Sequence, residues 1–313
     1  NHWRITPLGV LKRAWLTMDE YATIPSDGKV PWKKVALLNI DGFLDFHPSY
    51  IAGGLSEMGV ETVVRTISLP ELERLRHNPT EMRSTNIAKT LTGDLVRVLA
   101  ARINEHAKDV DAILMPAVVG LDGCSDVVRL KEYVDRPLHF LSTLPPSVPG
   151  IRLQLMLKRY FQKLGGTYML GDSVTGGEFE DGRLKAVTTR NHGKFRFEAD
   201  NFILASGSLF SKGLVSDMDA VREPVFGLDV DFLECRSQWY DKNMFESQPY
   251  MTFGVSSGKD FHVLRSGMSV DNLYAAGAVL SGFNALKEGS GAGVSILTAL
   301  HVSSLILNSA RTS

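Results

Sequence analysis

Between residues 272 and 293 the chain runs Asn272-Leu273-Tyr274-Ala275-Ala276-Gly277-Ala278, then Gly282, then Gly289-Ser290-Gly291-Ala292-Gly293, and passes into an apolar stretch. A strand that ends in such small residues lets a flat ring approach its backbone, because a Cβ at Gly277 would intrude. The 289–293 run opens a helix, and a helix N-terminus presents N–H groups that no intrahelical carbonyl accepts. Reduction of a flavin places negative charge on the N1–C2=O edge of its ring, which a helix N-terminus stabilises as it would a phosphate. A bare GxGxG fits any strand–turn–helix. The whole string reads as the closing half of a flavin site, with cofactor contacts at Gly277, Ala278, Gly282, Gly289, Gly291 and Gly293. A buried run, Asn201–Ala205, delivers a second turn of small residues, Ala205-Ser206-Gly207, and these three join the cofactor-binding set.

The elements that must position these turns follow from the patterning. The chain has 313 residues, 44% hydrophobic and 22% charged, with a net charge of -1. That is the composition of an ordinary globular protein, with no general attraction to nucleic acid or anionic lipid. Cys124 and Cys235 form no CxxC pair, so neither an iron–sulfur cluster nor a zinc ribbon is expected, and no metal site is. Val294–Leu307 is interrupted by Ser295, Thr298, His301, Ser303 and Ser304. It reads as a buried helix rather than a membrane segment of the chain's own.

Short apolar runs and helical spacings alternate over residues 33–144: strands at Val35–Ile40, Val60–Ile67, Asp111–Val119 and Pro137–Leu141, helices at Pro48–Met58, Thr85–Lys108 and Ser125–Val134, the last capped by Ser125. This order predicts a small parallel sheet. From Ile151 the pattern becomes an amphipathic helix to Leu164, a strand at Thr167–Leu170, a hairpin of Val174–Phe179 and Leu184–Arg190 around Asp181-Gly182, and a strand at Phe195–Glu198. The fold class expected is α/β: a Rossmann-like flavoprotein fold with an inserted small parallel α/β domain. Its divisions are 1–144 (the inserted substrate or interaction domain), 145–208 (flavin-domain helix, hairpin and strand), 209–270 (an irregular substrate-facing region) and 271–313 (the closing flavin-binding strand, loop and helix). No strand–GxGxxG–helix unit is present, since Gly53-Gly54 and Gly59 have the wrong spacing. The fold is therefore expected to lack its N-terminal GxGxxG unit, with at least one βαβ unit lying upstream of Asn1.

Several strings spread over the whole chain are more specific: Arg4–Leu11 (RITPLGVL), Leu69–Ile87 (LPELERLRHNPTEMRSTNI), Ile113–Ala117 (ILMPA), Leu144–Gln154 (LPPSVPGIRLQ), Thr189–His192 (TRNH), Ala205–Leu214 and Val221–Val230 (VREPVFGLDV). With them the chain resembles the B subunit of the anaerobic glycerol-3-phosphate dehydrogenases. The resemblance implies oxidation of sn-glycerol 3-phosphate to dihydroxyacetone phosphate in anaerobic respiration, with electrons passing through flavin and an iron–sulfur partner to the quinone pool. It implies FMN, although the architecture is usually a FAD fold. The implied partners are the FAD-containing catalytic A subunit and a membrane-bound iron–sulfur subunit, which place the chain in the cytoplasm at the inner face of the membrane. Ala278 stands where related flavoproteins often carry an acidic ribityl-binding residue. Two other readings stay open: a non-catalytic flavin relay or docking subunit of the complex, and a fumarate-reductase-like flavoenzyme.

Alcohol oxidation needs a base for the hydroxyl proton, and a substrate phosphate needs cations, preferably arginine. His192, within the TRNH string, is the first candidate base, though its hairpin suits an ordinary exposed turn somewhat better. His47, in a strand-to-helix loop, is the second. Arg222, Arg152 and Arg83 are the candidate phosphate ligands, each weighed against an ordinary ion pair or helix face.

Overall fold

The computed structural model describes residues 2–312, which divide between Tyr168 and Met169 into two units. In the first unit β1 (His2–Ile5), β2 (Leu11–Ala14) and β3 (Thr23–Ile24) form a small antiparallel sheet with β1 in the middle. The chain then enters β4 (Lys34–Ile40), α1 (Pro48–Glu57), β5 (Glu61–Ile67), the short α2 (Glu73–Arg76), α3 (Ser84–Thr90), α4 (Leu95–His106), β6 (Ala112–Pro116), α5 (Ser125–Tyr133) and β7 (Leu138–Leu141). The last four strands of this unit form one parallel sheet in the order β5-β4-β6-β7. Val35, Leu37, Ile113 and Leu114 are buried because helices cover such sheets, which is why the strands read as unbroken apolar runs.

Three local expectations change in this unit. The helix expected over Thr85–Lys108 is two helices: Gly93 takes φ +59 and the chain breaks at 91–94. Ile87, Leu91, Leu99 and Ile103 still face the core, but Val98 is exposed. The N-cap position of α5 is Cys124 rather than Ser125, and no side chain caps it. The third concerns α6 (Val148–Lys163), which belongs to the first unit, so the division falls at 168/169 rather than at 144/145. Its Val148 and Arg152 are buried, whereas Leu153, Met156, Leu157, Tyr160 and Phe161 are exposed.

The residues expected as a strand at Thr167–Leu170 form none, since no strand pairs with them and an extended segment without a partner is not held. The second unit starts with an antiparallel meander of β8 (Val174–Glu180), β9 (Arg183–Thr189) and β10 (Phe197–Glu198), in the order β10-β9-β8. Asp181 and Gly182 both have positive φ, as a two-residue hairpin turn requires. β11 (Phe202–Leu204) follows, then short pairs: β12 (Val215–Ser216) with β13 (Val221–Arg222), and β14 (Val230–Asp231) with β15 (Gly254–Val255). β16 (His262–Arg265) and β17 (Met268–Ala275) close a sheet ordered β11-β17-β16, in which β11 runs parallel to β17. Asn272 ties this sheet to the meander: its Oδ1 accepts from Leu184 N at 2.8 Å and its Nδ2 donates to Leu184 O at 2.8 Å and Asp200 O at 3.0 Å.

The chain ends in α7 (Ala285–Glu288) and α8 (Gly291–Thr312). The expectation of a buried closing helix does not hold within this unit. Among the described residues, Gly291–Ser309 is long and apolar enough to cross a membrane by length and composition, and only 17% of that window is buried. Val302 and Thr298 face the unit's core, while Ile296, Leu297, Leu300 and Leu307 are exposed because nothing in the unit covers that face.

Candidate cofactor site

The two turns of small residues come together because their strands are neighbours in register. Phe202, Ile203 and Leu204 of β11 pair with Leu273, Tyr274 and Ala275 of β17, and Ala276 N donates to Leu204 O at 3.0 Å. Ala205-Ser206-Gly207 and Gly277-Ala278 thus leave the C-terminal ends of two adjacent parallel strands, where α/β folds bind ligands. Gly277 takes φ +75, a conformation that side chains disfavour. A Cβ there would stand 3.4 Å from Ser295 Oγ on α8. Glycine is therefore favoured there by backbone conformation, and the contact with Ser295 is an ordinary one.

A cavity of 440 Å³ opens beside these turns, lined by Ser208, Phe210, Tyr250, Phe253, Ala278 and Phe283 among others. Among the described residues, no charged side chain and no histidine line it. The α7 helix contributes Ala285 and Leu286 to the wall. Asn284 caps α7 by accepting from Lys287 N, and Gly289 ends it at φ +66. The first residue of α8 packs closely on α7, because a Cβ on Gly291 would stand 3.3 Å from Ala285 Cβ. The internal bonds of α8 begin with Val294 N donating to Ser290 O at 2.9 Å, so the N–H groups of Gly291, Ala292 and Gly293 have no intrahelical acceptor. Gly282, at φ +90, sits in the linking loop, whose Ser281 Oγ donates to Asp231 at 2.5 Å.

Chemically, this cavity fits a flat, largely apolar ring, with the hydroxyls of Ser208 and Tyr250 on residues of its wall. It does not fit a phosphate, because no cation among the described residues faces the cavity.

The chain is 42% identical over 309 residues to a Yersinia enterocolitica protein named as the B subunit of an anaerobic glycerol-3-phosphate dehydrogenase, covering 98% of this chain and 73% of that one. It belongs to the B-subunit family of the anaerobic glycerol-3-phosphate dehydrogenases. Proteins of the same name from Pectobacterium atrosepticum (42% over 308 residues, 98% of this chain and 73% of that one) and Vibrio cholerae (37% over 315 residues, 98% and 72%) are similar to it over the same extent. The FAD binding domain family matches residues 1–294, which accords with the mixed α/β fold and its parallel sheets. No solved structure matches the chain.

In this B-subunit chain the candidate bases lie apart from the cavity lining. His192 Nδ1 meets Asp172 Oδ2 at 2.7 Å and Thr189 Oγ1 at 2.9 Å at the foot of the meander. Hydrogen bonds to Asp172, first from Thr189, then from the Ser173 and Asn191 amides and from His192, hold its carboxyl well below the usual carboxylate range. His47, in the first unit, is exposed at the start of α1 with its ring edge to Tyr50.

Each candidate phosphate ligand already has a carboxylate. Arg152 is buried against Glu20, and its Nη1 donates to Gly120 O at 2.8 Å. Arg83 donates to the buried Asp45 at 2.5 Å. Arg222 pairs with Asp217 at the surface. His262 and Arg265, which precede the closing strand, are likewise occupied. His262 meets Asp260 at 2.7 Å and Asp271 O at 3.0 Å, and Arg265 donates to Phe226 O at 3.1 Å.

Tyr250, Phe253, Phe283 and Thr298 are not marked by sequence reasoning. The first two lie in the irregular 209–270 region, where no periodicity marks a wall; the aromatic cluster after Pro249 was the available signal.

Proposed function

We propose that this chain supplies the ring side of a flavin site in a complex that oxidises sn-glycerol 3-phosphate to dihydroxyacetone phosphate, and that it relays electrons rather than holding the substrate. The observation that carries this reading is the aromatic cavity beside the Gly277-Ala278 turn, with no cation among the described residues of its walls. A bound flavin supplies acceptance of an electron pair and its onward release to an iron–sulfur partner. Around it, Ser208 and Ala278 would hold the ring at the ends of the two parallel strands, and Tyr250 and Phe253 would exclude water.

The substrate phosphate belongs on a partner subunit in this reading, because Arg152, Arg83 and Arg222 are all paired with carboxylates. The relatives' names, which call each a B subunit, support an assembly of several subunits; in this reading its other members are a FAD-containing A subunit and an iron–sulfur subunit held in the membrane, with this chain at the membrane's inner face. The chain spans 73% of the length of the Yersinia relative. Residues 33–144 are in this reading an insertion in the flavoprotein fold.

The test is to purify the full-length subunit within its complex, release bound flavin with acid and identify it by chromatography. FMN bound one to one with this subunit is the expected result, and FAD in its place would correct the cofactor but keep the site. Absence of both would overturn the reading.

A further inference from the structure

We propose that the hydroxyls of Ser208 and Tyr250 are the two polar contacts that orient the flavin ring in the cavity; this deepens the ring-side reading above and rests on it. Among the described residues that line the cavity they alone carry hydroxyls, and every other side chain of the wall is aliphatic, aromatic or a thioether. Ser208 follows the Ala205-Ser206-Gly207 turn and precedes a short 3-10 turn, Leu209–Ser211, where a serine ordinarily caps by accepting from an amide. It makes no such side-chain bond. Its backbone carbonyl instead takes the Ser211 amide at 3.1 Å and the Gly213 amide at 3.0 Å. Tyr250 is held by its own amide, which donates to Trp239 O at 2.9 Å, and its ring stands 6.3 Å from that of Phe210. No described residue hydrogen-bonds its hydroxyl. Both residues are half-buried.

Two unengaged hydroxyls in an apolar wall suit a ligand that is flat and apolar over most of its area and carries hydrogen-bonding atoms at its margin. Apolar area supplies the affinity of such a pocket, and a few placed polar groups fix the orientation. The isoalloxazine ring has that character, with one hydrocarbon half and one half bearing nitrogens and carbonyl oxygens. A ligand that enters displaces water from both hydroxyls, and one that cannot replace those bonds leaves them unpaired. The hydroxyls stand on separate segments, one after β11 and one before β15, and the backbone of each is held by the protein itself. Little ordering therefore accompanies their contact with the ring.

The probe is lumiflavin, the ring without its ribityl phosphate, so that contacts at the phosphate end play no part. In equilibrium dialysis against the full-length, flavin-free subunit, Tyr250→Phe and Ser208→Ala should each raise the Kd for lumiflavin about three- to tenfold, the worth of one net hydrogen bond. The double variant should show the product of the two losses. The urea midpoint of the flavin-free protein should stay unchanged in both single variants, because neither hydroxyl is bonded to a described residue. A lowered midpoint would show a structural role and overturn the inference. Ala278→Trp, which fills the cavity, should abolish binding and so locate it. Wild-type affinity in Tyr250→Phe and Ser208→Ala, with binding still abolished by Ala278→Trp, would overturn the inference and leave the site intact. Lumiflavin binding that survives Ala278→Trp, or no binding to the wild-type subunit, would overturn the ring-side reading, and this inference with it.

Discussion

The Gly277 amide donates to Thr298 Oγ1 at 2.9 Å, and the Thr298 hydroxyl donates in turn to Val294 O within α8 at 2.6 Å. One hydroxyl therefore fixes the turn after β17 against the first turns of the closing helix. The cavity wall and the helix N-terminus share this anchor. Thr298→Val keeps the shape and removes the acceptor, leaving the buried Gly277 amide without a partner. The expected cost is about 1–3 kcal/mol in urea unfolding. Thr298→Ser should recover most of it.

The Glu20–Arg152 pair is a second anchor, confined to the first unit. Glu20 is placed by backbone pairing beside β7, where Phe140 N donates to Glu20 O at 2.9 Å and Ala22 N to Phe140 O at 2.8 Å. Removing one member of a buried pair leaves the other charge uncompensated. Arg152→Met should therefore destabilise the chain by about 3–5 kcal/mol. Arg222→Ala, at an exposed pair, should change stability by less than about 1 kcal/mol. If the substrate phosphate is held elsewhere, Arg222→Ala should also leave the KM for glycerol 3-phosphate in the assembled complex unchanged.

Asn272 joins β17 to the meander with three hydrogen bonds from one buried side chain. Asn272→Ala should cost at least about 2 kcal/mol in chemical denaturation, because Leu184 loses partners for both backbone groups. Protection from hydrogen exchange should fall at Leu184 first.

Asp172 gives a pH prediction with a fixed sign. Hydrogen bonds depress its folded-state pKa, so its contribution to stability is present above the ordinary carboxylate range and is lost as pH falls through the depressed value. The stability difference between wild type and Asp172→Asn should be constant from neutral pH down to about 4, then close below it. A difference that grew on acidification would contradict the assignment.

The two glycine-bearing turns are legible in the sequence because small residues after apolar β-runs leave few other structures possible, although the first run is an edge strand with Ile203 exposed rather than the buried strand its composition suggests. The parallel sheet of the first unit is legible for the same kind of reason: Val35–Ile40 and Ile113–Leu114 are apolar without alternation. What fails to show is the tertiary pairing. Glu20 and Arg152 are 132 residues apart, and nothing local marks Arg152 as already engaged by a carboxylate. The break at 91–94 overrides an otherwise continuous helical spacing because Gly93 accepts a left-handed conformation. Tyr168, Met169 and Leu170 carry strand-like residues that find no neighbour to pair with. Tyr250 and Phe253 become cavity walls through a loop whose course no periodicity predicts.

Whether the cavity beside Gly277-Ala278 holds the ring of a flavin is tested most directly by the visible absorption spectrum of the purified complex. The comparison is between the wild-type protein and Ala278→Trp, which fills the cavity from its wall. Quantification of this subunit's released flavin should accompany it. The expected result is one flavin per wild-type subunit, and loss of most of that flavin in Ala278→Trp while the chain stays folded and assembled. Full retention of this subunit's flavin with an unchanged spectrum in Ala278→Trp would contradict the assignment of the cavity.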